Sequence, residues 1–438
     1  PAGSVAPDAA SAVAAPAPPA PPAPYTAQPL ALLGPAAPAY SAEPLPVPTS
    51  GGVVGGERAT SAYLFPPDRT GAVRLALQLL AAGHRVNVAT DSIEAGGRMW
   101  ARGTFVARVT RNDTTVHGAL DRLARAHGVD VTPVGSAFTE RAQYGIGADQ
   151  VVPLVRPRVA MVGDEGVSQP GFGAVWWALD RRYGVDFTHL NWSALGGADL
   201  SRWNVLLVPS ASPGALGRAV GKEGVERLKA WVRAGGTLVT MGGASAWAAR
   251  EDVALTSSRR VGSGGASPAP ASPGDSAGGS RPRAVAEGAQ SAGAQPTGAQ
   301  AAGRDTADLL AVTSPGASDE TPTPLPGSHF DVLLDRTHWL TQGEEGARRT
   351  ALVTGEPFLT LSRNGTNVAV FPPSGAILRA GFTWPGNSER LLRNTALVVE
   401  EPLGQGHVVL FANEPMFRGW WRALDRLVLN AILLGPAF

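Results

Sequence analysis

The sequence contains no cysteine, and its charges almost cancel. Among 438 residues, 37 lysines and arginines stand against 36 aspartates and glutamates. Without cysteine, thiolate catalysis, disulfide bonds and cysteine-ligated zinc sites are excluded. The net charge of +1 gives no electrostatic reason to expect a nucleic-acid partner. No apolar run reaches the roughly 18 residues that a spanning helix needs, so we expect no transmembrane segment.

Glycine and proline are abundant and are concentrated in two segments. Residues 1–55 are rich in alanine and proline, and residues 258–323 lack aromatic side chains and repeat Gly-Ala-Gln. Such compositions bury too little apolar surface to offset the conformational entropy lost on folding. We therefore predict a disordered linker at 1–55 and a disordered insertion at about 258–323. The chain begins with neither methionine nor a signal peptide, so we expect it to be part of a longer protein.

Residues 56–150 have the pattern of a small α+β domain. Strand-like segments such as "SAYLFP" and "GTFVARVT" are interspersed with the helical patterns "GAVRLALQLLAAGH" and "NDTTVHGALDRLARAHG". In chain order these segments read β-α-β-β-α-β, which is typical of a split β-α-β motif. We predict a ferredoxin-like domain here.

Residues 151–438 alternate between apolar strands and amphipathic helices. "RVAMVGDE", "WNVLLVPSA" and "TLVTMGG" are nearly continuous apolar runs, which buried parallel strands require. The alternation predicts a doubly wound, mostly parallel sheet of the amidotransferase or flavodoxin type. Asn364-Gly365, between two alternating segments, predicts a two-residue hairpin turn.

Two tryptophan pairs, Trp176-Trp177 and Trp420-Trp421, lie within helical patterns. Adjacent positions on a helix point in different directions. We therefore expect one member of each pair to pack in the core and the other to lie at a domain contact.

The segment "GGTLVTMGGASAW" at Gly235–Trp247 predicts a strand, a glycine turn and a helix. In many α/β hydrolases such a joint carries the nucleophile in a G-x-S-x-G motif. Here only Gly243 and Ser245 match the motif, because Trp247 stands at its last glycine. His407 begins the last predicted strand, far from the carboxyl ends of the strands where a base is needed. We expect a close-packing turn, and a serine hydrolase using Ser245 stays as an alternative.

The same edge of the sheet has carboxylates that could bind a ligand. Asp164 and Glu165 end the first strand of the predicted sheet, and Glu414 ends the last. If these side chains face one crevice, they can bind a small polar ligand or a sugar. The candidate binding set is Asp164, Glu165, Gly242, Gly243, Ser245 and Glu414. Helix capping and surface solvation explain these carboxylates equally well.

The seven histidines provide no catalytic zinc motif. None begins H-x-x-E or belongs to H-E-x-x-H, so we predict no metal site and no cofactor in this chain. His329 and His338 lie nine positions apart, with Asp331 and Asp335 between them. A metal cluster there stays open as an alternative to a polar loop.

From about Tyr63 to Phe438 the sequence resembles the C-terminal region of bacterial zinc carboxypeptidase-like proteins of the carboxypeptidase A class. The resemblance is carried by "NWSALGGADLSRWNVLLVPS", "LKAWVRAGGTLVTMGGASAW", "PLPGSHFDVLLDRTHWLTQG" and "PLGQGHVVLFANEPMFRGWWRALDRLVLNAILLGPAF". In addition, "PYTAQPLALLG" resembles the segment that follows the catalytic domain of these proteins.

In that family a zinc peptidase domain precedes a domain similar to class I glutamine amidotransferases. The resemblance places the amidotransferase cysteine near residues 243–245 and its His-Pro-Glu near Asn413-Glu414-Pro415. Here the cysteine is absent, and Asn413 stands in the place of the histidine. The zinc peptidase residues have no counterpart in this chain. The resemblance therefore implies a non-catalytic accessory region, with zinc only in a catalytic domain that this chain lacks.

The partners implied by the resemblance are that peptidase domain or a peptide substrate, in a periplasmic or secreted protein. The oligomeric state stays open. Two alternatives remain, a sugar-binding or polar-ligand module at the strand ends and a residual serine hydrolase.

Overall fold

The structure is a computed structural model that describes residues 51–140, 142–164, 166–192, 198–262, 320–344, 346–355 and 357–438. The strands are β1 (Gly52–Val53), β2 (Ala62–Phe65), β3 (Asn87–Ala89), β4 (Ile93–Ala95), β5 (Arg98–Trp100), β6 (Phe105–Arg108), β7 (Asp130–Val134), β8 (Val151–Pro153), β9 (Val159–Val162), β10 (Phe187–Leu190), β11 (Val205–Val208), β12 (Thr237–Met241), β13 (Ser328–Leu334), β14 (Arg348–Val353), β15 (Thr366–Val370), β16 (Leu378–Ala380), β17 (Ala396–Leu403) and β18 (Gly406–Phe411). The α-helices are α1 (Thr70–Ala81), α2 (Thr115–His127), α3 (Gln169–Trp177), α4 (Pro213–Arg233), α5 (Gly243–Ala248), α6 (Arg390–Leu392) and α7 (Asp425–Leu433).

The first sheet is mainly antiparallel and has the order β1-β7-β2-β6-β3-β8. Strand β2 is antiparallel to both β6 and β7, and β3 is antiparallel to β6 and β8. Helix α2 ends at His127, and the next residue, Gly128, has a φ of 63° that turns the chain into β7. Along the chain, the strands and α-helices of residues 62–134 follow in the order β2, α1, β3, β4, β5, β6, α2 and β7, so two strands that were not predicted lie between β3 and β6. Strands β4 and β5 form a separate two-stranded sheet.

The second sheet has the order β10-β9-β11-β12-β18-β17-β15-β13-β14, and β16 pairs with β13. Strands β10, β9, β11, β12 and β18 are parallel, whereas the remaining strands are antiparallel to their neighbours. Every residue of β11 and β12 is buried, as expected for strands covered on both faces. The chain is therefore an α/β protein with sheets of parallel and antiparallel strands.

The predicted hairpin turn at Asn364-Gly365 is wrong. Strand β15 pairs with β13 and β17 instead of β14, and neither turn residue has a positive φ. The amides of Asn364 and Gly365 donate instead to Oγ of Ser362, at 3.3 and 2.9 Å. A Cβ on Gly365 would lie 2.2 Å from the carbonyl oxygen of Glu400. The glycine is needed for this close approach to β17.

The expectation for the tryptophan pairs is also wrong at Trp176-Trp177. Both side chains are partly exposed, at 40% and 43%. Trp420 is exposed as well, and its neighbour Trp421 is half-buried with its ring 4.7 Å from that of His329. Helix α3 therefore buries smaller residues, among them Ala174 and Val175.

Part of each predicted disordered segment belongs to the described structure. Residues 51–55 include β1, while the rest of the predicted linker lies outside the described residues. Around the predicted insertion, Ser258 donates to the carbonyl oxygen of Thr360 at 2.7 Å. A Cβ on Gly262 would lie 2.8 Å from Cα of Thr321, so the residues that flank 263–319 are in contact.

The described residues all belong to one compact unit beginning at Pro48. A continuous hydrophobic cluster includes Leu75 and Leu79 of α1 as well as Leu427 of α7. Arg102 also donates to the carbonyl oxygen of Arg336 at 2.9 Å. Within the described ranges, no helix combines the length and apolar character needed to cross a membrane.

Candidate functional site

The carboxyl ends of four adjacent parallel strands, β9, β11, β12 and β18, form the edge at which the sequence predicted a site. Asp164 follows β9 and is exposed. Glu414 follows β18 and reaches the start of α3, where a Cβ on Gly171 would lie 2.7 Å from its Oε1. Glu165 lies outside the described residues. The structure thus brings Glu414 to the helix that follows β9.

The strand-to-helix joint after β12 has the backbone of a nucleophile elbow. Gly242 has φ 52° and ψ −124°, a conformation that side-chain-bearing residues adopt only under strain. The next residue, Gly243, packs so closely on the end of β11 that its Cβ would lie 2.2 Å from the carbonyl oxygen of Ala211. The amide of Gly243 donates to Oγ of Ser210 at 3.2 Å. The strained position, which carries the nucleophile in an elbow, is therefore a residue without a side chain.

Ser245 lies inside the protein at this joint. Its side chain is fully buried, and its Oγ donates to the carbonyl oxygen of Phe411 at 2.8 Å. Oγ also lies 2.8 Å from Oγ1 of Thr240. These contacts tie α5 to β12 and β18, so the hydroxyl stabilises the joint and does not face solvent.

Two polar side chains that follow β18, those of Asn413 and Glu414, are buried or partly buried. Burial raises the pKa of Glu414, and a hydrogen bond from Ser168 and the charge of Arg418 only partly oppose this effect. Asn413 is buried, and its Oδ1 accepts the amide of Thr354 at 3.0 Å. Its Nδ2 has no partner within the described part of the chain. The carboxyl group of Glu414 and the amide of Asn413 are the polar side-chain groups that follow β18 at this edge.

A second polar cluster, which the sequence did not predict, lies beside the amino end of β18. Oε1 of Glu400 is 2.7 Å from Nδ1 of His407, and Oε2 is 3.2 Å from Nε2 of His338. Burial raises the pKa of Glu400, but the two histidines outweigh it and bring the pKa to about 2. The signal in the sequence was "VVEEPL", where two acids interrupt an apolar strand.

The structure does not bring together the histidines and aspartates considered for a metal cluster. Asp331 pairs with Arg379, and Asp335 accepts the amide of Thr337 at 2.8 Å. His329 packs on a tryptophan, while His338 binds Glu400. Among the residues that the structure describes, no group of three or more histidines or acids is placed to hold a metal ion.

Comparison with known proteins gives only weak similarities. No protein-family model and no curated protein matches this chain. A ThuA-like protein from Bacteroides uniformis is 10% identical over 67% of this chain and 94% of its own, with a TM-score of 0.33. One from Parabacteroides merdae is also 10% identical, over 63% of this chain and 88% of its own, with a TM-score of 0.34. A β-galactosidase from Bacillus circulans sp. alkalophilus is 13% identical over 61% of this chain and 30% of its own, with a TM-score of 0.30. Similarities this weak assign neither a fold nor a function to this chain.

Proposed function

We propose that this chain is a non-catalytic accessory region of a zinc carboxypeptidase-like metallopeptidase. The proposal that the chain is non-catalytic rests on a single observation, the glycine at position 242. It holds the strained backbone position of the elbow and has no side chain to attack a substrate. The part of the fold around β12 is proposed to be amidotransferase-like, and the part at 56–150 ferredoxin-like, on the strength of their strand orders.

The described residues do not fit the zinc site of the family. No group of histidines and acids among them is placed to bind a metal ion, and no histidine begins an H-x-x-E motif. We therefore assign no step of peptide hydrolysis to this chain. Its proposed role is to pack on the peptidase domain or to hold the peptide substrate.

Two measurements test the absence of catalysis. A fluorophosphonate probe is expected to label neither the wild type nor Ser245→Ala above a heat-denatured control, because the hydroxyl is buried and bonded. Hydrolysis of hippuryl-phenylalanine is expected to stay at background with and without added Zn²⁺. Labelling that disappears in Ser245→Ala, or zinc-dependent hydrolysis that a chelator abolishes, would contradict the proposal.

The genomic sequence upstream of Pro1 tests the accessory role. An H-x-x-E zinc motif in the same reading frame supports a link to a peptidase domain. A different domain or a stop codon immediately before Pro1 would argue against it. This outcome is independent of the catalytic assays.

A second candidate function is a module that binds a sugar or another uncharged polar ligand at the carboxyl ends of the strands. It is favoured by Glu414 and by the unpartnered Nδ2 of Asn413. A panel of neutral sugars should raise the melting temperature of the wild type, since a ligand that binds the native state stabilises it. Glu414→Gln should reduce this rise, and Glu226→Gln, an exposed side chain of α4, should leave it unchanged. No rise with any sugar would remove this candidate.

A further inference from the structure

A cleft lies at the opposite edge of the second sheet, away from Glu414 and Gly242. Its volume is about 400 Å³, and it opens at the amino ends of β9, β11 and β12. The side chains that matter here come from the segments before these strands and from α4. They are Arg158, Trp203, Asn204, Arg227 and Trp231.

Two tryptophans line this cleft, and the ring of Trp231 is held in place by its neighbours. Nε1 of Trp231 donates to the carbonyl oxygen of Trp203 at 3.1 Å. The ring of Trp231 lies against the backbone, where a Cβ on Gly236 would come within 2.5 Å of its atoms. Because the ring is held by both contacts, the wall is formed before any ligand arrives. A preformed wall lowers the ordering cost of binding a flat apolar group.

The charged side chains of the cleft are mainly arginines. Nε of Arg158 donates to the carbonyl oxygen of Arg202 at 2.8 Å, which leaves its terminal nitrogens unpaired within the described structure. Arg227 is exposed on α4, and no contact of its guanidinium is recorded among the described residues. Oδ1 of Asp199 accepts the amide and the hydroxyl of Ser201, at 3.1 and 2.6 Å, so one carboxylate faces the two arginines in the lining of the cleft. The lining therefore has two guanidinium groups and one carboxylate, a net positive charge.

Asn204 fixes the floor of the cleft. Its Oδ1 accepts the amide of Arg158 at 2.7 Å, and its Nδ2 donates to the carbonyl oxygen of Arg156 at 3.1 Å. Both ends of the buried amide are used, so Asn204 positions the segment that carries Arg158. Its role is structural, and the arginines remain the recognition groups.

We infer that this cleft binds a small organic anion, with a carboxylate attached to a flat aromatic body. The arginines supply donors in the planar geometry that a carboxylate accepts, and the tryptophans supply the apolar contact surface. The volume lies at the low end of the range for small-molecule sites, which excludes a folded partner as the occupant of the cleft itself. The site is separate from the edge discussed above and does not depend on the proposed accessory role.

Isothermal titration of the full chain with indole-3-acetate tests this inference, with neutral indole-3-acetamide as the matched probe. The acid should bind at least about tenfold more tightly than the amide, because only the acid forms charge-assisted hydrogen bonds. Arg227→Gln should weaken binding of the acid by about tenfold and leave the amide unaffected. Arg218→Gln removes the same charge from the other end of α4 and should change neither affinity.

Other outcomes would overturn the inference. They include equal binding of acid and amide, equal losses in Arg227→Gln and Arg218→Gln, and no heat of binding for either probe at millimolar concentration.

Inorganic phosphate distinguishes the arginines of the site from its tryptophans. If phosphate binds as tightly as indole-3-acetate, the tryptophan walls contribute nothing and the aromatic part is wrong. Trp203→Ala should weaken indole-3-acetate and leave phosphate unchanged, in a variant whose circular dichroism matches the wild type.

Discussion

Single glycines determine how closely the strands of the second sheet approach the segments around them. At Gly243 a Cβ would lie 2.2 Å from a carbonyl oxygen of the backbone, which cannot rotate away as a flexible side chain can. At Gly118, in the exposed face of α2, a Cβ would meet no atom within 4 Å. An added methyl group should therefore change the free energy of unfolding in opposite directions at the two positions.

We expect Gly243→Ala to lower the free energy of unfolding by about 1–3 kcal/mol, because the joint must shift to relieve the overlap. Gly118→Ala should instead raise it by about 0.5–1 kcal/mol, because alanine restricts the unfolded chain and favours the helix. Urea denaturation of both variants measures the two changes. A tolerated Gly243→Ala would mean that β11 and the joint are not in close contact.

At the scale of an element, strand β17 carries a buried charge, the carboxylate of Glu400. The folded state keeps Glu400 ionised, with a pKa of about 2 against an ordinary 4.5. A depressed carboxyl pKa stabilises the fold above pH 4.5, and this stability is lost as the pH falls from 4.5 towards 2. The shift corresponds to at most about 3 kcal/mol at neutral pH.

Glu400→Gln should therefore destabilise the protein at pH 7, and the difference from the wild type should shrink as the pH falls below 4.5. Guanidinium denaturation at a series of pH values measures this difference. Glu226→Gln is the matched control, because that side chain is 65% exposed and pairs with Lys229 at the surface. A difference that stays constant down to pH 3 would show that the glutamate acts by packing and not by its charge.

The π-helical turn Ala178–Tyr183 that continues α3 is fixed to α7 by a buried hydrogen-bond network. The hydroxyl of Tyr183 donates to Asp425, which also accepts Nη1 of Arg182 at 3.0 Å. Burial, together with the charge of Asp425, raises the pKa of Tyr183 to about 12. The phenol therefore stays a donor far above neutral pH.

Tyr183→Phe should lower the free energy of unfolding by about 1–3 kcal/mol, because it leaves a buried carboxylate with one donor fewer. Tyr144→Phe serves as the comparison and should have little effect, since Tyr144 is only partly buried and packs as a hydrophobic group. Chemical denaturation of both variants checks the prediction. Equal effects would show that the hydrogen bond to Asp425 contributes nothing to stability.

Local patterns in the sequence predicted elements better than they predicted contacts between elements. The alternation of apolar runs and amphipathic segments was sufficient for the α/β class, because strands and helices depend on residues close in sequence, but it did not predict short strands such as β4, β5 and β16. The turn at Asn364-Gly365 was mispredicted, because Gly365 is needed against β17, a strand more than thirty positions away. The low pKa of the buried Glu400 depends likewise on two histidines from different segments.

For the molecule as a whole, the shared hydrophobic cluster predicts that the two sheets unfold together. Helix α1 packs against α7, and their buried leucines belong to one cluster. We expect one transition in differential scanning calorimetry, with equal calorimetric and van't Hoff enthalpies. Two separated transitions would show that residues 56–150 and 151–438 are independent folding units.

The contact between Gly262 and Thr321 has a practical consequence for protein engineering. Because Gly262 and Thr321 already touch, a segment that joins them has almost no distance to span. The entropy of closing a flexible loop changes slowly with its length, so we expect an insertion between these two residues to cost little stability. We therefore expect that a fluorescent protein or an affinity tag can be inserted between Gly262 and Thr321 without disturbing either sheet.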